Sequence, residues 1–267
     1  MDSMMLRIRI IRLFRPIAMV LLLFAVVQVN TVYASALPDT LARIKGGVVA
    51  VGTIIPVHHS ASNRPRAKYA GTGFIVGSGK QVITNHHVIP ENLDEKTKEG
   101  LAIFVGRGKL AQARKARLIR SDPVHDLALL EIEGPALKPL QLEVGKSVIE
   151  GEEVAFTGFP LGMALGLYPV THKTIVAAIT PIVIPAHTSK KLTAQQIQRL
   201  KTPYEVYQLD AIAYPGNSGS PVYRIDSGKV VGVVNSVFVK STKESILETP
   251  SGISYAIPVR YIHEILK

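Results

Sequence analysis

The chain has 267 residues, 47% of them hydrophobic and 19% charged, which allows a sizeable core and excludes general disorder. Its formal net charge is +11, yet no aromatic-interleaved basic stripe or DNA-binding motif goes with the charge, so nucleic acid is not an expected partner. There is no cysteine, which excludes disulfides, thiolate metal sites and a cysteine nucleophile.

Arg7, Arg9, Arg12 and Arg15 precede an unbroken apolar run from Ile17 to Val27, and Ala34-Ser35-Ala36 follows. Positive flank, apolar run and small residues make the pattern of a secretory signal over residues 1–36, with cleavage expected after Ala36. An uncleaved anchor through residues 13–33 is the competing reading, although the uncharged stretch falls short of the roughly 20 residues that span a bilayer. Both readings send residues 37–267 out of the cytoplasm.

From there on, short β-branched runs alternate with Gly, Pro, Asn and Asp breaks, the pattern of an all-β barrel or sandwich. Expected strands are 48–55, 71–76, 81–84, 102–104, 115–119 and 127–132, then 153–156, 169–178, 204–209, 221–223, 230–239 and 253–257. A polar, proline-containing bridge near residues 134–146 divides them. Two six-stranded antiparallel β-barrels are therefore expected, one about 41–140 and the other about 146–258. Thr193-Ala-Gln-Gln196 reads as a capping box that opens a short helix, about 194–201, inside a basic insertion at 184–202. Val259, Ile262 and Leu266 stand at helical spacing and predict a short closing helix over 259–267.

The stretch with chemical content is Tyr214-Pro-Gly-Asn-Ser-Gly-Ser-Pro221. Alone, Gly216-Asn-Ser-Gly219 reads first as a turn, because each of these residue types favours turns. Glycines beside a serine also expose main-chain N–H groups, which acyl transfer needs for the negative oxygen of its intermediate. A serine nucleophile requires a base, and the base requires an acid to hold its tautomer. Among the eight histidines, His58, His59, His172, His187 and His263 stand in polar or loop-like contexts and read as surface. His86-His87 instead follows the strand 81–84. Asp126 stands at the mouth of the apolar strand 127–132, with Asp122 and His125 as neighbouring competitors. The histidine pairs are adjacent and no H-E-x-x-H spacing occurs, so neither a metal nor another cofactor is expected.

Thr72-Gly-Phe-Ile-Val76, Thr84-Asn-His-His-Val88, His125-Asp-Leu-Ala-Leu129, Gly158-Phe-Pro160 and Gly216-Asn-Ser-Gly219 follow one another in the order used by trypsin-like serine proteases. Together with Gly252-Ile-Ser-Tyr-Ala-Ile-Pro258, they most resemble the HtrA branch of that family, over about residues 41–260. The resemblance implies a chymotrypsin-like fold with His87, Asp126 and Ser218 as the catalytic triad. It implies an oxyanion hole from the backbone of Gly216 and Ser218, helped by Asn217. It also implies a primary pocket floored by Ile212, hence an apolar residue before the scissile bond, and a substrate-pairing strand at Asn235, Ser236 and Val237. The partners implied are unfolded or misfolded polypeptides, met after secretion across the inner membrane into the periplasm. Homo-oligomerisation is left open.

Two departures from the branch are visible. Ser220 stands where glycine is common, and is expected to restrict the loop behind the nucleophile. The branch commonly carries C-terminal PDZ domains, whereas this sequence stops with the protease region, so peptide regulation through such domains is not carried over. The alternatives are a latent or chaperone-like protein that uses the same cleft without turnover, and an esterase with identical chemistry.

Overall fold

A computed structural model describes residues 36–56, 66–161, 166–182, 203–235 and 252–267. The chain divides between Ala36 and Leu37, and the account below concerns the part from Leu37 onwards. The expected signal, the helix at 194–201 and the insertion around it lie outside the described residues.

Strands β1 (Val48–Ile55), β2 (Arg66–Val76), β3 (Gln81–Thr84), β4 (Gly100–Val105), β5 (Gln112–Asp122) and β6 (Leu127–Ile132) close into one antiparallel barrel in the order β1-β2-β3-β6-β5-β4. Strands β7 (Glu153–Gly158), β8 (Val170–Pro181), β9 (Glu205–Leu209), β10 (Pro221–Arg224), β11 (Val230–Asn235) and β12 (Ser254–Pro258) close into a second, in the order β7-β8-β9-β12-β11-β10. Counted from its own first strand, each barrel has the same order, although the two sequences show little repetition.

Period-two alternation, with successive side chains on opposite faces, explains how short strands bury so much. In β1, Val49 and Val51 join Ile75, Val82, Ile103 and Leu130 in a cluster within the first barrel. The intervening Val48 and Ala50 join Phe74, Leu127, Ala155, Tyr223 and Ile257 in a cluster shared by both barrels. A third cluster, around Phe156, Val176, Leu209 and Val231, belongs to the second barrel. Fully burying side chains of the size of Phe74 and Phe156 contributes about 1.5–3 kcal/mol each. The barrels are therefore joined by continuous core, and the site forms on that junction.

The expected closing helix is α2 (Val259–Leu266); α1 (Leu37–Ile44) was not expected. In α1, Leu37, Leu41 and Ile44 recur at helical spacing and pack on the shared cluster, and Thr40 Oγ1 donates to the Ile225 carbonyl at 2.8 Å. In α2 the buried face is Tyr261, Ile262 and Ile265, rather than Val259, Ile262 and Leu266. Tyr261 stacks on His125 from the first barrel and meets Tyr204 beside β9 edge-on, so α2 bridges the barrels.

The bridge between the barrels is pinned by charge. Arg224 is 3% exposed and donates to Glu152 Oε1 at 2.5 Å, Glu143 Oε2 at 2.6 Å and the Ser147 carbonyl at 3.0 Å. Burial pushes the Glu143 carboxyl up, but its bonds to Arg224 and Val144 outweigh that and hold it below the usual carboxylate range. Arg114 and Arg120 of β5 donate to the carbonyls of Pro135 and Ile265, and Arg117 pairs with Glu131. Much of the basic character of β5 is thus spent on internal bonds.

Candidate active site

Strand β3 ends at Thr84, and a single 3-10 turn, His86–Val88, follows Asn85. Across from it, the chain reverses between β5 and β6 through an Asx turn, in which Asp122 Oδ1 accepts from the N–H groups of Val124 and His125 at 3.0 and 3.1 Å. The reversal leaves Asp126 in the left-handed region, with φ +55°, a conformation that aspartate tolerates better than most residues. It is held there by its own carbonyl, which accepts from Asn85 Nδ2 at 3.0 Å and from His86 N at 3.1 Å.

The Asp126 carboxylate is buried and fully engaged. Oδ1 accepts from His87 N at 2.9 Å, and Oδ2 lies 2.7 Å from His87 Nδ1 and accepts from Asn235 Nδ2 at 2.6 Å. The His87 side chain is 30% exposed and that of Asp126 only 7%, so the ring stands between a buried acid and solvent. The neighbouring histidines have partners of their own. His86 turns to Ser121 Oγ at 2.6 Å, and His125 pairs with Asp122 at 2.6 Å. Burial pushes the Asp122 carboxyl up, yet its bonds with His125 outweigh that and keep it below the usual range.

Ser218 is brought to the same junction. Its carbonyl lies 2.9 Å from where a Cβ on Gly71 would stand, and the side chain of Val88, the residue after His87, lies 2.7 Å from that point. Gly71 thus lets the serine loop and the histidine turn close on β2 from two sides. Glycine is also required at both ends of the loop. Gly216 and Gly219 have φ +98° and +87°, and a Cβ would overlap the Phe159 carbonyl oxygen at the first and the Thr72 carbonyl oxygen at the second. Among the described residues, the Gly216 N–H has no acceptor.

Asn217 N–H donates to the Tyr214 carbonyl at 3.0 Å, and its side chain is wholly buried. Ser220 is accommodated without a left-handed backbone, so the expected restriction does not arise from φ. Its hydroxyl is buried against Gly158 with no partner among the described residues. Asn235 is buried too; its side chain donates to Asp126 and its backbone pairs with Tyr255. Ser236 and Val237 lie outside the described residues.

Ile212 is half-buried, and the residues on either side of it are tied by one hydroxyl. Ser254 Oγ donates to the Ala211 carbonyl at 2.6 Å and accepts from Ala213 N at 2.7 Å. His172 and His263 are not simple surface histidines. His172 stacks on Phe156 with its Nε2 buried and without a partner among the described residues, and His263 Nε2 meets the Glu143 carbonyl at 2.8 Å. His58, His59 and His187 lie outside the described residues. Sequence reasoning missed Thr72, Asn85 and the true task of Asn235. The available signal was a small polar residue inside or next to an apolar strand.

Two equivalent closed barrels, with a His–Asp pair and a glycine-flanked serine on their junction, define a chymotrypsin-like fold of the trypsin-like serine peptidase class. Residues 71–233 match the family model described as trypsin-like peptidase domain, and the chain belongs to that family. Similar proteins include a probable periplasmic serine endoprotease DegP-like from Pseudomonas fluorescens, 30% identical over 197 residues. Proteins of the same description from Hahella chejuensis and Chlamydia muridarum are each 31% identical, over 199 and 202 residues. These alignments cover 72% of this chain for the first two relatives and 75% for the third. The chain spans about a third of the length of each relative, at 33%, 34% and 34%.

Proposed function

We propose that this chain is an exported serine endopeptidase that hydrolyses peptide bonds of unfolded or misfolded proteins through Ser218, His87 and Asp126. The observation that carries the reading is the buried Asp126 carboxylate, 2.7 Å from His87 Nδ1 and held from behind by Asn235. With Nδ1 turned to the acid, Nε2 is the ring nitrogen left to take a proton. Ser218 Oγ attacks the peptide carbonyl while His87 accepts its proton and later returns it to the leaving amine. Asp126 orients the ring and stabilises its charged form without becoming protonated itself. The N–H groups of Gly216 and Ser218 hold the oxyanion, where loss of one donor typically costs about 10²–10³ in kcat.

Ile212 as pocket floor supports an apolar residue before the scissile bond, since Asp210 is two positions away and its carbonyl accepts from Thr174 Oγ1 at 2.9 Å. Pairing of an extended substrate along the strand that continues from Asn235 would supply main-chain affinity with little side-chain selectivity, which suits unfolded clients. The signal pattern in residues 1–36, with relatives named as periplasmic, supports work in the periplasm.

The test is casein hydrolysis by the purified protein beside Ser218→Ala, with a fluorophosphonate probe. Cleavage and labelling that disappear together in the variant support the reading. Labelling that persists in Ser218→Ala, or folded protein that neither labels nor cleaves, refutes it and turns attention to a peptide-binding role for the cleft.

A further inference from the structure

We infer that Thr72, on β2 of the first barrel, is a positioning residue that sets the oxyanion-binding loop of the second barrel. The inference rests on the reading of Ser218 as nucleophile, and concerns what holds that serine and its neighbours in place. Thr72 is completely buried at the barrel junction, and all of its polar groups are committed. Its N–H donates to the Ser218 carbonyl at 2.8 Å, and its Oγ1 donates to the Gly216 carbonyl at 2.7 Å. Oγ1 also accepts from Phe159 N at 2.9 Å, while the Thr72 carbonyl accepts from Thr84 Oγ1 at 2.6 Å.

The consequence follows from peptide planarity. A trans peptide fixes its C=O and N–H in opposite directions, so pinning one end orients the other. The peptide joining residues 216 and 217 is pinned at both ends, its carbonyl by Thr72 Oγ1 and its N–H by the Tyr214 carbonyl. That joining residues 218 and 219 is likewise pinned, by Thr72 N and by the Val234 carbonyl. Between and before them lie the peptides that carry the Ser218 and Gly216 N–H groups. Their carbonyls, on Asn217 and Pro215, accept from Ser220 N at 3.0 Å and Leu161 N at 2.7 Å. Four successive planes are thus fixed, two of them by one threonine of the other barrel. Removing its hydroxyl frees the Gly216 carbonyl and orphans the Phe159 N–H. The plane of residues 216 and 217 can then rotate, which moves Gly216 and the donor it carries. A valine at position 72 keeps the branched shape while removing both bonds of the hydroxyl.

The experiment compares Thr72→Val and Thr72→Ser with wild type in the full chain. It reads fluorophosphonate labelling at Ser218, kcat and KM on a peptide ester, and amide exchange across residues 214–220. Thr72→Val is expected to lower kcat and the labelling rate about 10–100-fold, the range of one lost hydrogen bond acting on a developing charge. KM is expected to stay within about twofold and exchange to quicken in the loop but not in β7, because an orienting role acts on the reacting geometry alone. Thr72→Ser restores the hydroxyl and is expected to recover most of the loss. If Thr72→Val does not fold, Thr72→Ala takes its place against the same serine variant.

Unchanged kcat and labelling, a change confined to KM, exchange that rises uniformly, or no rescue by serine would each overturn the inference. Wild-type labelling at Ser218 with an unaffected Thr72→Val removes only the role of Thr72. A probe that reacts elsewhere, or not at all, removes the reading of Ser218 and this inference with it.

Discussion

Asn235 Nδ2 donates to Asp126 Oδ2 at 2.6 Å, and the same oxygen lies 2.7 Å from His87 Nδ1. One carboxylate oxygen from the first barrel thus receives its bonds from both sides of the barrel junction. Replacing Asn235 by Ala would leave a buried carboxylate one donor short. A hydrogen bond to a charged group is worth about 1.5–3 kcal/mol. Asn235→Ala is therefore expected to lower kcat/KM about 10–100-fold, since each 1.36 kcal/mol is a factor of ten. Steady-state kinetics on a peptide ester check this, with circular dichroism to show that the fold persists. Activity equal to wild type would mean that His87 alone holds the acid.

The serine loop makes a second demand that can be measured without substrate. At Gly219, φ is +87° and a Cβ would overlap the Thr72 carbonyl oxygen, which is backbone and cannot step aside. The left-handed conformation costs an alanine about 1–2 kcal/mol, and forced overpacking adds about 1–3 kcal/mol. Gly219→Ala is expected to lower stability by the sum, about 2–5 kcal/mol, in denaturant unfolding, and to abolish fluorophosphonate labelling. Gly151→Ala is the control for φ alone: it has φ +82° with nothing near a new Cβ.

How much of this was legible beforehand depended on the range of the interactions. Strands β1, β3 and β6 stand at their expected limits, because each is a short apolar run ended by turn residues and is specified locally. Strand β5 runs well beyond the expected 115–119, since its charged ends are strand only by pairing with β4 and β6. Helix α1 went unread because eight residues are too few to be helical alone and are held by their packing on the core cluster shared by both barrels. In the site, the choice of His87 over His86 was available from motif resemblance. The tasks of Asn235 and Thr72 were not, because their partners lie 109 and 144 residues away in the chain.

Ser220 presents the opposite case to the glycines, a polar side chain that the described residues leave unpaired. Its hydroxyl is buried, has no partner among the described residues and lies against Gly158. Its backbone works normally, with Ser220 N donating to the Asn217 carbonyl and its own carbonyl accepting from Val234 N. Ser220→Ala keeps both backbone bonds and removes an unpaired buried group, whose cost is about 1–3 kcal/mol. The variant is expected to gain roughly 1 kcal/mol, or a rise in Tm of about 2–4 °C for a domain of this size. Calorimetry decides the sign, and a drop in Tm would mean that the hydroxyl has a partner in solution.

His172 gives the chain a pH dependence of stability that is separable from catalysis. Its ring stacks on Phe156 with Nε2 buried and, among the described residues, unpartnered, and burial lowers its pKa below the ordinary histidine value of 6.5. The folded state therefore takes up a proton at lower pH than the unfolded chain. Above about pH 6.5 the ring is neutral in both states and costs nothing. As pH falls below that value the unfolded chain protonates first, so stability declines, and the loss is complete once pH has passed the lowered pKa of the folded state. His172→Gln cannot titrate and is expected to flatten the fall of Tm between roughly pH 7 and pH 5. The same slope in both proteins would assign the acid sensitivity to other groups.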